Sequence, residues 1–284
     1  MSEAKFPRTT VGGVSLPRML IGSNWMMGWG HSTPSNDKLI ISRNRNREAI
    51  ADLVESFLEY DINAIMSLAS QNEVLIEGVK LAEDRTGKGV IIIDTPILNV
   101  DDSPEARREA EATIKKSKQC GTTFCLPHHV SAEQLVNKNT QTIDRLPDYL
   151  SMIRDNDMIP GLSAHMPELI VYSDANEYDV ETYIQIYNCM GFLMQVEIEY
   201  INNIIWGAKK PVMTIKPMAA GRVTPFVGIS FSFATIRPCD MVTVGCLTSD
   251  EVHEDVEIAA AALERRKPQL EGRNSPKKSS IMKS

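Results

Sequence analysis

The stretch Val90-Ile-Ile-Ile-Asp-Thr-Pro-Ile-Leu-Asn-Val-Asp-Asp-Ser-Pro104 carries the pattern that decides the fold of this 284-residue chain. Residues 90–94 are a continuous apolar run of strand length ending in an aspartate. Such a run suits a parallel strand covered on both faces. Ser103-Pro104 then opens a helix predicted to reach about residue 119. Proline is favoured there because its missing N–H has no intrahelical partner to lose.

Working outward from this unit, the same order recurs along nearly the whole chain. Strands are predicted at 18–23, 62–68, 122–126, 159–163, 183–188, 212–216 and 241–245. Helices are predicted at 47–60 and 73–85, within 143–155, from 167, at 194–207, within 219–236 and at 248–266. In the first of these, Ile50, Leu53, Val54, Phe57 and Leu58 recur at helical spacing. Pro147 is expected to start its helix rather than interrupt it. Thr248-Ser-Asp-Glu251 is a capping-box pattern. A glycine pair, Gly12-Gly13, marks a short hairpin ahead of the first strand. Residues 24–46 read as a long polar loop.

Alternating strands and helices require a parallel sheet with right-handed crossovers. Eight units close on themselves, and no GxGxxG turn marks an open dinucleotide-binding sheet. The predicted fold is α/β, a closed (β/α)8 TIM barrel with a short N-terminal β-hairpin. One domain is expected over residues 1–266, with a polar, basic and mobile tail at 267–284.

Composition narrows the function classes. A formal charge of -7 argues against a nucleic-acid binder. No apolar run approaches the roughly 18 residues of a membrane span. The first seven residues lack the apolar centre of a secretory signal, so the cytoplasm is the expected compartment. The cysteines, Cys120, Cys125, Cys189, Cys239 and Cys246, are odd in number and form no CxxC pair. That speaks against a disulfide framework or a zinc knuckle. Cys246, between a strand and a helix start, is a position where a thiol could acquire a lowered pKa.

In such a barrel the loops after the strands converge on one face, and chemistry sits there. The residues expected to meet are Asn24 and Trp25, Ser67, Asp94 and Thr95, His128 and His129, Ser163 and His165, Gln185 and Asn188, Lys216, and Gly245 with Cys246. His128, His129 and His165, with Asp94, are the candidate acid–base groups, because imidazole titrates near neutrality. Asp94, His128 and His165 also offer the N and O donors of a divalent-metal site. Asn24, Trp25 and Arg43 are candidate substrate contacts. Arg43, Arg45 and Arg47 form a loop cluster suited to anions. Trp25, Met26, Met27 and Trp29 are expected to wall or cover a pocket, or to bury against a second copy in a homo-oligomer.

Gly161-Leu-Ser-Ala-His165 followed by Pro167-Glu168, Gln185-Ile-Tyr-Asn188, Lys216-Pro-Met-Ala-Ala-Gly-Arg222, and Val242-Thr-Val-Gly245 with Asp250-Glu251 and Asp255 resemble segments of the aldo/keto reductase family. The resemblance implies a nicotinamide-dependent reductase using Asp, Tyr, Lys and His. It also implies that Ser163 and Gln185 hold the nicotinamide amide, with Asn188, Lys216 and Gly245 on the cofactor side. Of the four catalytic types, only His128 finds a match, and Met66 falls where the aspartate belongs. Acidic residues after the last strand disfavour NADP, by repulsion of its 2′-phosphate, and leave NAD open. The leading expectation is acid–base chemistry on a small polar metabolite, with or without a metal. The alternatives are an NAD-dependent oxidoreductase with a relocated proton donor and a non-catalytic small-molecule-binding barrel.

Overall fold

The computed structural model describes residues 5–31, 33–44 and 46–270. Eight staves form a ring: β1 (Met19–Gly22), β2 (Ala64–Ser67), β3 (Ile91–Asp94), β4 (Thr122–Cys125), β5 (Ile159–Pro160 continued by Leu162–Ala164), β6 (Tyr183–Ile186), β7 (Val212–Ile215) and β8 (Met241–Val244). Each pairs in parallel with its neighbours, and β8 pairs with β1. The predicted (β/α)8 barrel is therefore present, with strand boundaries shorter than the sequence reading by one or two residues at most ends.

Closure occurs inside β5. Ile159–Pro160 pairs with β4, and Leu162–Ala164 pairs with β6. The residue between them, Gly161, lies where a Cβ would stand 2.7 Å from the Thr182 carbonyl oxygen and 2.8 Å from Leu126 Cγ. A backbone oxygen cannot yield as a flexible side chain can. Gly161→Ala is expected to destabilise the barrel by about 1–3 kcal/mol. A lower urea midpoint with an unchanged slope checks this; an unchanged midpoint would show that closure tolerates a methyl group.

The hairpin pairs Arg8–Val11 with Val14–Pro17. Gly12 and Gly13 both take positive φ, +52° and +82°, as a two-residue turn of this hand requires. Val11 and Leu16 join Leu20, Ala64, Ile93, Phe124, Met213 and Met241 in the barrel interior. The hairpin thus plugs the end opposite the mouth.

The outer layer comprises α1 (Pro34–Asn44), α2 (Arg47–Leu58), α3 (Glu73–Thr86), α4 (Pro104–Gln119), α5 (His129–Ala132), α6 (Leu146–Asp155), α7 (Glu168–Ala175), α8 (Ile198–Gly207), α9 (Pro225–Thr235) and α10 (Ser249–Glu264). The predicted stripe of α2 is buried throughout. Ser103 caps α4 by accepting the Ala106 N–H, and Thr248 caps α10 by accepting that of Glu251.

Two elements correct the sequence reading. The expected polar loop at 24–46 contains α1. Only Ile40 and Asn44 of that helix are buried, while Leu39 and Ile41 are exposed, so it has no apolar stripe to read. The one-turn α5 begins directly after His128. Of the tail, residues 271–284 lie outside the described residues. Among the described residues, no helix is long and apolar enough to cross a membrane.

Candidate active site

A cavity of about 290 Å3 opens at the carboxyl ends of the staves. Met66 and Thr243 lie at its floor, with the Thr243 hydroxyl 3.8 Å from the Met66 sulfur. Trp25 and Trp29 stand in its wall, while Met26 and Met27 are buried and do not line it. Asn24, Ser67, Thr95, Ser163, Lys216 and Gly245 also reach it. Among the described residues that line it there is no tyrosine and no carboxylate.

His128, His129 and His165 are brought together on one side. The rings of His129 and His165 stack with centroids 3.5 Å apart and planes 17° off parallel. The His128 ring stands 4.3 Å from that of His129. Local structure explains the arrangement. The backbone turns into α5 after β4, and His128 Nδ1 accepts the Val130 N–H at its start. One turn on, Glu133 Oε1 accepts the His165 and Met166 N–H groups, each at 2.7 Å. Its other oxygen lies 3.8 Å from His129 Nδ1. Burial would raise the Glu133 pKa, but its bonds to His129, Met166 and His165 outweigh that and hold it below the ordinary carboxylate range. Glu133 thereby ties the loop after β5 to the turn after β4. The sequence reading missed it, because nothing marked 129–135 as helical turns.

Burial drives His128 down to about 4 and His165 down to about 3, with the charge of His129 the next contributor in each. Both rings are neutral at pH 7. The sign for stability follows from the unfolded value of 6.5. Below that pH the unfolded chain takes up protons that the folded chain refuses. The stabilising contribution is complete above pH 6.5 and is lost as pH falls toward 4 and then 3. Both rings remain partly wetted, which screens the effect. Tm is expected to fall by a few degrees more between pH 6.5 and 4 in the wild type than in a His128→Asn/His165→Asn double variant. Parallel Tm curves would sink this assignment.

Several expected site residues are elsewhere. Asp94 is fully buried but faces the helices, where Ser117 donates to Oδ2 at 2.6 Å. Burial raises its pKa. It cannot serve as the acid–base partner or metal ligand of the three histidines. Among the described residues no group of three or more His, Cys, Asp or Glu is arranged to hold a metal. Gln185 also faces outward, with its amide nitrogen 3.3 Å from the Ile186 carbonyl and 3.4 Å from that of His165. Asn188 is consumed locally, since its Oδ1 accepts the Met190 and Phe192 N–H groups. Arg43 is exposed on α1, Arg47 pairs with Glu48, and Arg45 lies outside the described residues. Cys246 is buried against Asp255, 3.4 Å away, and burial pushes its thiol well up rather than down.

One residue not singled out beforehand enters the site. His31 Nε2 approaches Lys216 Nζ to 3.5 Å, and both line the cavity. Both also hold left-handed backbone, φ 52° and 62°. Only its place in a loop after the first strand could have pointed to His31.

No family model and no curated protein matches the chain. Solved structures do match. A Pseudomonas aeruginosa protein assigned to the aldo-keto reductases superposes with a TM-score of 0.67 at 15% identity, over 93% of this chain and 98% of that one. The fold is aldo-keto-reductase-like. A Klebsiella pneumoniae aldo-keto reductase in complex with NADPH gives 0.53 at 13% identity, over 95% and 98% of the two chains. The octameric ribulose-1,5-bisphosphate carboxylase/oxygenase of Pyrococcus horikoshii gives 0.52 at 11% identity, over 78% and 57%. A reductase and a carboxylase share this barrel, so the architecture does not select the chemistry.

Proposed function

We propose that the protein is a barrel enzyme that moves a proton on a small polar metabolite, in lyase, isomerase or hydrolase chemistry. His129 is the acid–base group, and Glu133 is its positioning residue. The observation that carries the reading is the stacked His129–His165 pair at the mouth, tied from behind by the Glu133 carboxylate.

With Nδ1 facing Glu133, the Nε2 of His129 is the nitrogen left for substrate. Glu133 fixes the ring and supplies the opposite charge when it takes a proton. His128 and His165, neutral at pH 7, act as hydrogen-bonding walls. The tryptophans limit water at the reacting atoms. This replaces the histidine–aspartate pairing expected from the sequence with a histidine–glutamate pairing, and it needs no metal ligand set.

The test is consumption of metabolites from a dialysed cell extract, read by mass spectrometry, with wild-type protein and with His129→Ala. At least one compound is expected to disappear with the wild type and to persist with the variant. Equal consumption by both proteins, or none by either, would reject the reading. Titration with NADH in parallel measures the oxidoreductase alternative.

A further inference from the structure

We infer that the ligand of this cavity carries an anionic group, a carboxylate or a phosphate, seated between Lys216 and His31. The inference rests on the reading of the cavity as a substrate site and names the substrate class.

The chain as a whole carries -7, yet the one Lys, Arg, Asp or Glu among the described residues lining the mouth is a lysine, Lys216. Among the described residues the ionisable side chains lining it are Lys216, His31, His128, His129 and His165, with no carboxylate; the nearby Asp37 accepts the Gly30 N–H from behind the wall. The Lys216 side chain is half-buried, and among the described residues the ammonium has one hydrogen-bonding contact, His31 Nε2 at 3.5 Å. A half-buried cation with no carboxylate partner among the described residues is unfavourable in proportion to its desolvation, and proteins generally pair such groups or direct them at a ligand. Desolvation lowers the Lys216 pKa, and burial, followed by the charge of Lys216, lowers that of His31 against the smaller raising effects of the Trp29 backbone and Asp37.

The Lys216 ammonium and His31 Nε2, which becomes a second donor when the imidazole is protonated, stand 3.5 Å apart, within the span that the oxygens of one carboxylate or phosphate can bridge. At the rim, Arg222 donates to the His31 carbonyl at 3.3 Å and lies 4.1 Å over the Phe192 ring. It adds positive potential and fixes the His31 backbone. His31, Lys216 and Ala220, all three lining the cavity, hold left-handed backbone. Strained backbone of this kind persists where the surrounding structure holds a group in place for use. Bound there, the anion leaves the rest of the molecule to cross the cavity toward His129.

Trp25 and Trp29, two of the three tryptophans, line the cavity and report on it. The probes are inorganic phosphate and succinate, added at constant ionic strength against chloride, with tryptophan fluorescence as the readout. Saturable binding with a Kd on the order of 1 mM is expected for at least one of them. Saturation by phosphate alone identifies a phosphorylated substrate, and by succinate alone a carboxylic acid. Lys216→Met is expected to weaken binding about tenfold or more, while raising the Tm of the unliganded protein by removing the unpaired charge. His129→Ala is expected to keep the binding. No saturation by either probe, or wild-type affinity in a folded Lys216→Met, overturns the inference. Loss of turnover in His129→Ala with anion binding retained separates this seat from the acid–base assignment.

Discussion

Asp240→Ala is expected to lower the unfolding free energy by about 3–5 kcal/mol, the range for breaking one side of a buried charge pair. Asp240 is fully buried just ahead of β8, at the end of the barrel away from the cavity. Its Oδ1 accepts the Val212 N–H at 2.8 Å and Arg237 Nη2 at 2.7 Å. Its Oδ2 accepts the Arg237 N–H and Nε, both at 2.9 Å. Four nitrogen donors therefore lose this acceptor together, and among the described residues Arg237 keeps only the carbonyls of Ala208 and Lys210. The guanidinium left behind is only 14% exposed, and water reaches it poorly. Arg18 binds the same turn through the carbonyls of Asp240 and Arg237, so the disturbance reaches the entry to β1. Equilibrium urea unfolding measures the loss. Asp240→Asn keeps two acceptor positions on one oxygen but removes the charge, and should fall between wild type and alanine. A loss under about 1 kcal/mol for alanine would mean that the arginine finds water or another partner, contrary to the burial argument. Because the knot lies far from the mouth, small-anion binding by the folded fraction should be unchanged.

The architecture was legible because it is written in periodicity. Most staves are largely apolar runs bounded by turn residues, and α2, α4 and α10 carry both a buried face and a cap. The orientation of single side chains within a stave was not legible. In β3, Ile91 and Ile93 face the barrel interior and Ile92 faces the helices. Strand alternation then sends Asp94 outward and Thr95 to the mouth. A run that is apolar on both faces gives no sign of which parity is which, so the carboxylate looked available. The same alternation removes Gln185, which follows inward Ile184. It retains Ser163 and His165, which are two apart. His128 and His129 survive for a different reason. They lie past the end of β4, where α5 turns the backbone and both rings reach the cavity. The partners of these groups come from segments with no periodic signal. Glu133 follows a single helical turn, and His31 sits in a loop ahead of a helix without an apolar stripe.

Turnover by His129→Ala should be about 100- to 10 000-fold below wild type, the usual contribution of a positioned acid–base group. Its Tm should change little, because the ring is stacked at a partly open mouth rather than packed in the core. Added imidazole should restore part of the rate, since the vacated volume lies beside the solvent-connected cavity. The informative partner is Glu133→Gln. Its amide oxygen can still accept the His165 and Met166 N–H groups, so the link between the two loops is retained. What it loses is the negative charge facing His129 Nδ1. If Glu133 were only a structural tie, Glu133→Gln would match wild type in both Tm and rate. If it positions and balances the imidazole, kcat should drop about tenfold or more while Tm stays near wild type, and imidazole should not rescue it. The substrate identified by extract depletion, followed by steady-state rates and thermal melts on the same preparations, distinguishes these outcomes. A fall in rate matched by an equal fall in folded fraction would return Glu133 to the scaffold and leave His129 without its partner.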